Sequence, residues 1–157
     1  MDDLSKHNLT IEKTINAPVE KVWKAWTDPT EVAKWWGPRG VTTPECVWEA
    51  HPGGRIDVVM LAGESLGDLK GRRWPMTGQF QEVEYLKKLV YSGQAIMDDK
   101  PVIENLCTVF FERSGDQTNL KLEVRITKAT PEAIGPLSGM AIGWNQSLDK
   151  LTEQVEG

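Results

Sequence analysis

Apolar and polar residues alternate through most of the extended segments of this chain, and this pattern limits the possible folds more than any other feature. Every second residue from Leu120 to Ile126 is apolar, and charged residues such as Lys121 and Glu123 lie between them. Alternation with a period of two predicts strands with one buried and one solvated face. Such strands are typical of antiparallel sheets, because parallel sheets are usually covered on both faces. The chain is therefore expected to form an antiparallel sheet that needs a cover on one side.

Seven strands are predicted along the chain. The first covers residues 9–15, and the others cover residues 41–50, 55–62, 76–81, 89–96, 105–112 and 119–127. Pro52, Gly53 and Gly54 predict a tight turn that joins the second and third strands as a hairpin. The connection at residues 63–75 is rich in glycine and charge, and we expect it to fold over one edge of the sheet as a flap.

Two short helices are predicted between the first and second strands. Apolar residues recur at spacings of three and four from Val19 to Trp26, which is typical of an amphipathic helix. Asp28 predicts the N-cap of a second helix, and the pair Gly37 and Pro38 predicts its end.

Two adjacent tryptophans, Trp35 and Trp36, end this second helix. Indoles at such a place either wedge the helices against the sheet or line the mouth of a cavity. Neighbouring residues of a helix point in different directions, so only one of the two is expected to face fully inward. Packing is favoured for Trp35, and Trp36 is kept as a candidate site residue.

The C-terminal segment predicts a long amphipathic helix, because apolar residues recur at spacings of three and four over residues 134–155. Gly135 and Pro136 are expected to kink this helix or delay its start. Gly139 and Gly143 are assigned to its polar side. A sheet with one dry face needs such a cover. The predicted fold class is therefore α+β, in the order β-α-α-β6-α, with a curved seven-stranded antiparallel sheet wrapped around the helix and a cavity between them.

Composition and charge exclude several classes of protein. The length of 157 residues predicts a single domain over residues 1–157, whose first eight residues are expected to be frayed. The net charge of -5 argues against a nucleic-acid partner, since phosphate binding needs a concentrated cationic face. No apolar run approaches the length of a membrane span. The polar, acidic N-terminus lacks the features of a secretory signal, so a cytoplasmic location is predicted.

Four motifs, taken together, resemble one protein family. They read NAPVEKVWKAWTDPTEVAKWWGP, HPGGRIDVVM, MTGQFQEVEYLKKLVYSG and GMAIGWNQSLDKL, and the resemblance covers the chain from Leu9 to about Gln154. In this order and spacing they resemble the START-like, or SRPBCC, helix-grip superfamily. Within it the chain is similar to the AHSA group, which includes the C-terminal domain of the activator of the 90-kilodalton heat-shock protein ATPase.

The resemblance implies a helix-grip fold with an apolar cavity, which in relatives holds lipids, polyketides or other hydrophobic molecules. Some relatives are cyclases or aromatases, and others carry or sense a ligand. The resemblance also implies a possible link to stress response and to a chaperone partner. A monomer and a homodimer are both compatible with it.

Eleven residues are candidates for a ligand site. Nine are expected to line the cavity: Trp36, Trp48, Met60, Trp74, Phe80, Tyr91, Cys107, Met140 and Trp144. Arg55 and Asp57 lie on one strand face and could form an internal pair that orients a ligand or supports acid-base chemistry. In the alternative interpretation the nine residues fill a solid core. Most of Arg55, Asp57, Glu104 and Asn105 are expected on the solvated face, and the internal pair forms only if Arg55 or Asp57 points into the cavity.

No catalytic group or metal site is predicted. His7 and His51 are not at ligand spacing with other donors, and no cofactor is expected. Cys46 and Cys107 are interpreted as free thiols, since neither belongs to a CxxC motif. The favoured function is the binding, without catalysis, of a small hydrophobic, lipid-like or polyketide-like molecule. The alternatives are a cyclase, dehydratase or hydrolase that uses the same cavity, and a regulator of a chaperone ATPase or other protein-interaction module.

Overall fold

The computed structural model describes residues 7–133 and 137–157. Its main feature is one curled, seven-stranded sheet in which all neighbouring strands are antiparallel, as predicted. The strands are β1 Leu9–Ile15, β2 Val41–Trp48, β3 Arg55–Ala62, β4 Arg73–Glu84, β5 Lys88–Met97, β6 Lys100–Ser114 and β7 Gln117–Ala129. The α-helices are α1 Val19–Thr27, α2 Pro29–Trp35 and α3 Met140–Glu156, and short 3-10 helices cover Glu64–Leu69 and Pro131–Ala133.

The order of the strands explains why the two short helices are needed. The strands lie side by side in the order β1-β7-β6-β5-β4-β3-β2, so β1 and β2 form opposite edges of the sheet. Strands β2 to β7 follow one another as antiparallel neighbours. The chain must therefore cross from one edge to the other only once, and α1 and α2 make that crossing.

Helix α3 covers one side of the sheet, which we call the inner face; the opposite side is the outer face. Leu148, Leu151 and Val155 of α3 are buried in the same apolar core as the inward-facing strand residues. Lys13 interrupts the apolar face of β1, and the structure explains this, because its ammonium group pairs with the carboxylate of Asp149 on α3. Burial of the apolar stripe thus sets the position of the helix, and the ion pair lies at its margin.

The two short helices form as the local sequence predicts. The side chain of Asp28 accepts a hydrogen bond from the backbone N–H of Thr30 at 2.9 Å, which confirms it as the N-cap of α2. Trp35 is fully buried, and its indole N–H donates to the carbonyl oxygen of Ala25 at 2.8 Å. This bond joins α2 to α1 in the core.

The expectation that only one of Trp35 and Trp36 faces inward is wrong, since both are buried. Trp36 is the C-cap of α2 and has extended backbone angles, φ -62° and ψ 130°. Because the helix has already ended, the helical rotation between neighbours no longer applies to Trp36. Its side chain therefore also turns towards the core.

Two strands begin earlier than the sequence pattern predicts. β4 begins at Arg73, inside the predicted connection, and β6 begins at Lys100. Pro75 is tolerated in β4 because pairing with β5 starts only at Met76, so Pro75 has β3 as its only strand neighbour. The remaining part of the predicted flap forms the 3-10 helix Glu64–Leu69.

Some expectations concern the ends of the described segments. The predicted kink at Gly135 and Pro136 lies outside the described residues, as do residues 1–6 of the predicted frayed terminus. Asn8, the last residue of that terminus, is bonded to the sheet, because its side-chain oxygen accepts from the backbone N–H of Ile126 at 2.8 Å. None of the described helices is long and apolar enough to cross a membrane.

The bond from Trp35 to Ala25 predicts a large stability effect for Trp35→Phe. This variant removes a buried hydrogen bond, leaves the Ala25 carbonyl without its donor and opens a void, so we expect a loss of about 2 kcal/mol or more in the free energy of unfolding. Urea denaturation followed by circular dichroism measures the loss. Trp74→Phe is the control, because Trp74 is only half-buried and its indole N–H has no partner among the described residues. Equal losses in the two variants would contradict the prediction.

Candidate functional site

A partly enclosed cavity of about 390 Å³ lies between the inner face of the sheet and the first turns of α3. Its walls come from the loop that follows α2, from strands β3 to β6 and from α3. Five of the candidate site residues lie in these walls: Trp36, Met60, Trp74, Met140 and Trp144. We refer to this space below as the cavity.

Indole rings form one side of the cavity and connect it to the core. Trp36 and Trp144 meet edge to face, with ring centroids 5.4 Å apart and an interplanar angle of 81°. The ring of Trp26 is nearly parallel to that of Trp144, with centroids 6.3 Å apart. Edge-to-face and offset contacts are the favoured geometries for aromatic pairs. The wall is therefore rigid, since each indole is held by another.

Four other candidates lie deeper, in the core beside the cavity and apart from its walls. Trp48, Phe80, Tyr91 and Cys107 are each at most 2% exposed. Trp48 contacts both Phe80 and Tyr91 at centroid distances of 5.2 Å, and its indole N–H donates to the carbonyl oxygen of Trp26 at 2.7 Å. These side chains support the cavity from behind.

Arg55 and Asp57 form the predicted pair, but on the outer face of the sheet. The Arg55 guanidinium and the Asp57 carboxylate are 3.4 Å apart, and their side chains are 65% and 41% exposed. Ile56 and Val58, which alternate with them along β3, are the residues that face inward. Both residues lie on the solvated face, as expected for most of the polar strand residues, and the internal polar pair does not form. Water solvates both charges on the outer face, whereas burial would require costly desolvation.

Gly143, which the hydropathy pattern assigns to the polar side of the C-terminal helix, lines the cavity together with Gly139. Glycine is nearly neutral in hydropathy, so the pattern of apolar and polar residues does not indicate which face of the helix it lies on. At Gly143 the absence of a side chain leaves open the space next to Trp144, and a Cβ atom added to this residue would have Cβ of Pro38, at 4.0 Å, as its nearest neighbour. The two glycines therefore help to create the cavity.

Asn105 is a polar residue of the cavity wall that the sequence interpretation places on the solvated face. It lies in β6 between Ile103 and Cys107, and both of these neighbours at two-residue spacing are buried. The apolar residues two positions before and after Asn105 were a usable sequence signal, because residues at i and i+2 lie on the same face of a strand. The β6–β7 register shifts between Glu104 and Asn105, and this irregularity interrupts the alternation on one side of Asn105.

The cavity wall carries no ionisable side chain among the described residues. Its polar groups are the amide of Asn105, the hydroxyl of Ser147 and the indole N–H groups of Trp36, Trp74 and Trp144. The Ser147 hydroxyl donates to the carbonyl oxygen of Gly143 at 2.9 Å. Lys150 is a cation at the edge of this region, where its ammonium group donates to the carbonyl oxygen of Gly37 at 3.1 Å. Burial, and then the positive charge of Arg39, lower the pKa of Lys150.

Both thiols are held in their neutral form. Burial raises the pKa of the Cys107 thiol to about 12 and that of Cys46 to about 11. Burial also raises the pKa of the Tyr91 hydroxyl, and the neighbouring Cys107 raises it further. A thiol is a strong nucleophile only as the thiolate. Cys107 therefore lacks the activation that a catalytic cysteine needs.

Within residues 7–133 and 137–157, no group of three or more His, Cys, Asp or Glu residues is placed to hold a metal ion. His51 lies in the exposed turn after β2, where Nδ1 is 3.2 Å from the carbonyl oxygen of Pro52. A second concavity, of about 490 Å³, lies on the outer face between polar side chains such as Thr77, Gln79 and Ser92. All of its lining residues are polar, charged or glycine.

Solved structures share this fold over nearly their whole length. Protein CV1439 of Chromobacterium violaceum superposes with a TM-score of 0.82 at 24% identity, covering 97% of this chain and 99% of that one. A protein of Rhodobacter sphaeroides gives 0.76 at 27% identity, with 99% and 96% covered. The AHSA1 protein SPO3351 of Silicibacter pomeroyi gives 0.79 at 22% identity, with 95% and 97% covered.

No curated protein matches this chain in sequence. A family model does match: the family described as Activator of Hsp90 ATPase homolog 1-like protein aligns with residues 16–156. This match confirms the resemblance carried by the four motifs. Since it covers nearly all of the chain, the protein belongs to the family of Activator of Hsp90 ATPase homolog 1-like proteins.

Proposed function

We propose that this protein binds a small hydrophobic molecule in the cavity and does not catalyse a reaction on it. The observation that carries the proposal is an apolar cavity of about 390 Å³ in which the described lining has no ionisable side chain. Ligand sites are typically concave, mostly apolar and about 300–1,000 Å³ in volume, with few polar groups. The cavity meets each of these criteria.

Methionine contributes to several parts of the wall and suits a ligand of variable shape. Met60 comes from β3, Met76 from β4, Met97 from β5 and Met140 from α3. Methionine is unbranched and polarisable, so it adapts to irregular surfaces more easily than leucine or valine. The indoles provide the rigid wall and the methionines the adaptable one. This combination supports binding of a class of apolar molecules.

The enzymatic alternative receives less support. A cyclase, dehydratase or hydrolase needs an acid, a base or a nucleophile that reaches its substrate. Arg55 and Asp57 lie on the outer face, and the Cys107 thiol has a pKa of about 12. The described polar side chains of the wall, Asn105 and Ser147, do not titrate near neutral pH. They can orient a ligand, but neither is an acid or a base there.

The family description also names activators of the Hsp90 ATPase, so chaperone regulation is a second candidate. A docking surface for a chaperone would be expected to include a contiguous apolar patch. Among the described residues, the exposed large apolar side chains lie in four separate elements: Leu69, Tyr85, Phe110 and Ile142. We therefore rank ligand binding first. Stimulation of an Hsp90 ATPase by the purified protein would reverse this order.

Filling the cavity from the helix side tests the proposal. Gly143→Leu places a side chain into the cavity, and it should weaken binding of the neutral fluorophore 1-aminoanthracene at least roughly tenfold. Stability should stay the same or rise by up to about 1 kcal/mol, because leucine has the better helix propensity. Fluorescence titration and thermal unfolding measure the two quantities.

Ala141→Leu is the matched control, since Ala141 is exposed on α3 and does not line the cavity. It should leave the affinity for 1-aminoanthracene unchanged. If the wild-type protein fails to bind the fluorophore, or if Gly143→Leu binds it as well as the wild type does, the cavity is not a binding site for such molecules.

The thiols provide a separate test of the enzymatic alternative. A raised pKa means that the thiolate forms only as the pH rises towards 11 or 12, so at pH 8 both native thiols should react with DTNB at least roughly tenfold more slowly than in urea. Cys46→Ser leaves Cys107 as the sole cysteine of the chain. Rapid native labelling of that variant would contradict the inert thiol and revive a nucleophilic role for Cys107.

A further inference from the structure

The amide of Asn105 lies in a place that Gly93 keeps open. Gly78 of β4 and Gly93 of β5 are paired directly, and Gly93 is in turn paired with Asn105 of β6. A Cβ atom on Gly93 would come within 2.9 Å of Oδ1 of Asn105 and 3.4 Å of the Met76 sulfur. The amide thus occupies the space above Gly93, on the inner face, beside residues of the cavity wall.

The hydrogen bonds of this amide are only partly used. Oδ1 of Asn105 accepts a weak bond from the Cys107 thiol at 3.7 Å. The Nδ2 group can donate two hydrogen bonds. No acceptor within residues 7–133 or 137–157 takes either of them. Without a ligand, water reaches Nδ2, since this atom is not among the buried side-chain atoms that lack a partner. A ligand without an acceptor would displace that water and leave the donor unpaired, so the site favours a ligand that brings an acceptor.

Charge restricts the ligand further. The described cavity wall holds no ionisable side chain, and an unpaired charge in such surroundings carries a large desolvation penalty. The ammonium group of Lys150, a cation at the edge of this region, is already bonded to the Gly37 carbonyl. The Ser147 hydroxyl does not compensate a charged ligand group, since it already donates to the carbonyl oxygen of Gly143.

We propose that the ligand is a neutral molecule with an apolar body and a carbonyl-type oxygen, and that Asn105 selects it by donating a hydrogen bond from Nδ2 to that oxygen. This inference rests on the proposed binding function and specifies its ligand class. Asn105 is then a residue that determines specificity, beside the indole N–H of Trp74 in the same wall, which has no partner among the described residues. Gly93 is a positioning residue that leaves room for the amide. A hydrocarbon of the same shape fits the cavity but leaves the donor unpaired.

Three probes of the same shape test the proposal. They are 2-acetylnaphthalene, with a ketone oxygen, 2-isopropenylnaphthalene, in which a methylene group replaces that oxygen, and 2-naphthoate, which is charged. Each displaces 1-aminoanthracene in a fluorescence titration. Comparing the Kd ratio of the ketone and the hydrocarbon between wild type and Asn105→Leu cancels their intrinsic difference in hydrophobicity. We expect that ratio to shift by roughly five- to tenfold against the ketone in the variant.

Two further variants support the interpretation. Gln79→Leu is the matched control, because it makes the same type of change on the outer face of the sheet and should leave the ratio unchanged. Gly93→Ala should shift the ratio in the same direction as Asn105→Leu, since the added methyl group displaces the amide. If Asn105→Leu does not fold, Gly93→Ala provides an independent test. Binding of 2-isopropenylnaphthalene shows whether Asn105→Leu is folded.

The outcomes separate this inference from the proposed function. If the wild type binds none of the probes, both fail. If the neutral probes bind but the ratio is the same in the wild type, Asn105→Leu and Gly93→Ala, the selection by Asn105 is wrong and the binding function stands. If 2-naphthoate binds most tightly and Lys150→Met abolishes that preference, the ligand class is anionic and the inference is overturned.

Discussion

Five indole rings in mutual contact hold the separate parts of this fold together. Trp26 and Trp35 come from α1 and α2, Trp36 from the end of α2, Trp48 from β2 and Trp144 from α3. Two of the five also bond to backbone carbonyls, from Trp35 to Ala25 and from Trp48 to Trp26. Helices α1 and α2, the edge strand β2 and the covering helix α3 therefore meet in one rigid cluster of indole rings. The remaining strands are joined by the backbone ladder.

The same rigidity explains why the cavity lies where it does. Indoles are large and have few rotamers, so they cannot adapt to fill an irregular space. Beyond Trp36 and Trp144, the wall passes to Gly139 and Gly143 on α3. On the sheet, Gly93 leaves room for the amide of Asn105, which lies in the wall. Bulky residues on one side and absent side chains on the other leave a volume that close packing would otherwise remove.

The fold was largely readable from sequence, and the site only in part. Period-two alternation and helical spacing are local properties, so the strands, the two short helices and the Asp28 cap could be predicted correctly. For the site, five of eleven candidates lie in the cavity wall. Trp48, Phe80, Tyr91 and Cys107 share the inward direction of those five but lie elsewhere along the curled sheet. The alternation of apolar and polar residues predicts which face of the sheet a side chain lies on. It does not predict where between that face and the helix a cavity remains.

Periodicity and motifs that span the chain were enough to establish the family, the antiparallel one-sided sheet and the covering helix. Which inward residues surround empty space emerged only when the chain was folded. Folding placed Arg55 and Asp57 in solvent and Asn105 against the cavity. The physical reason is that the cavity arises from the summed volumes of side chains that are distant in sequence. The pairing of Gly93 with Asn105 across two strands is such a relation, and no local pattern records it.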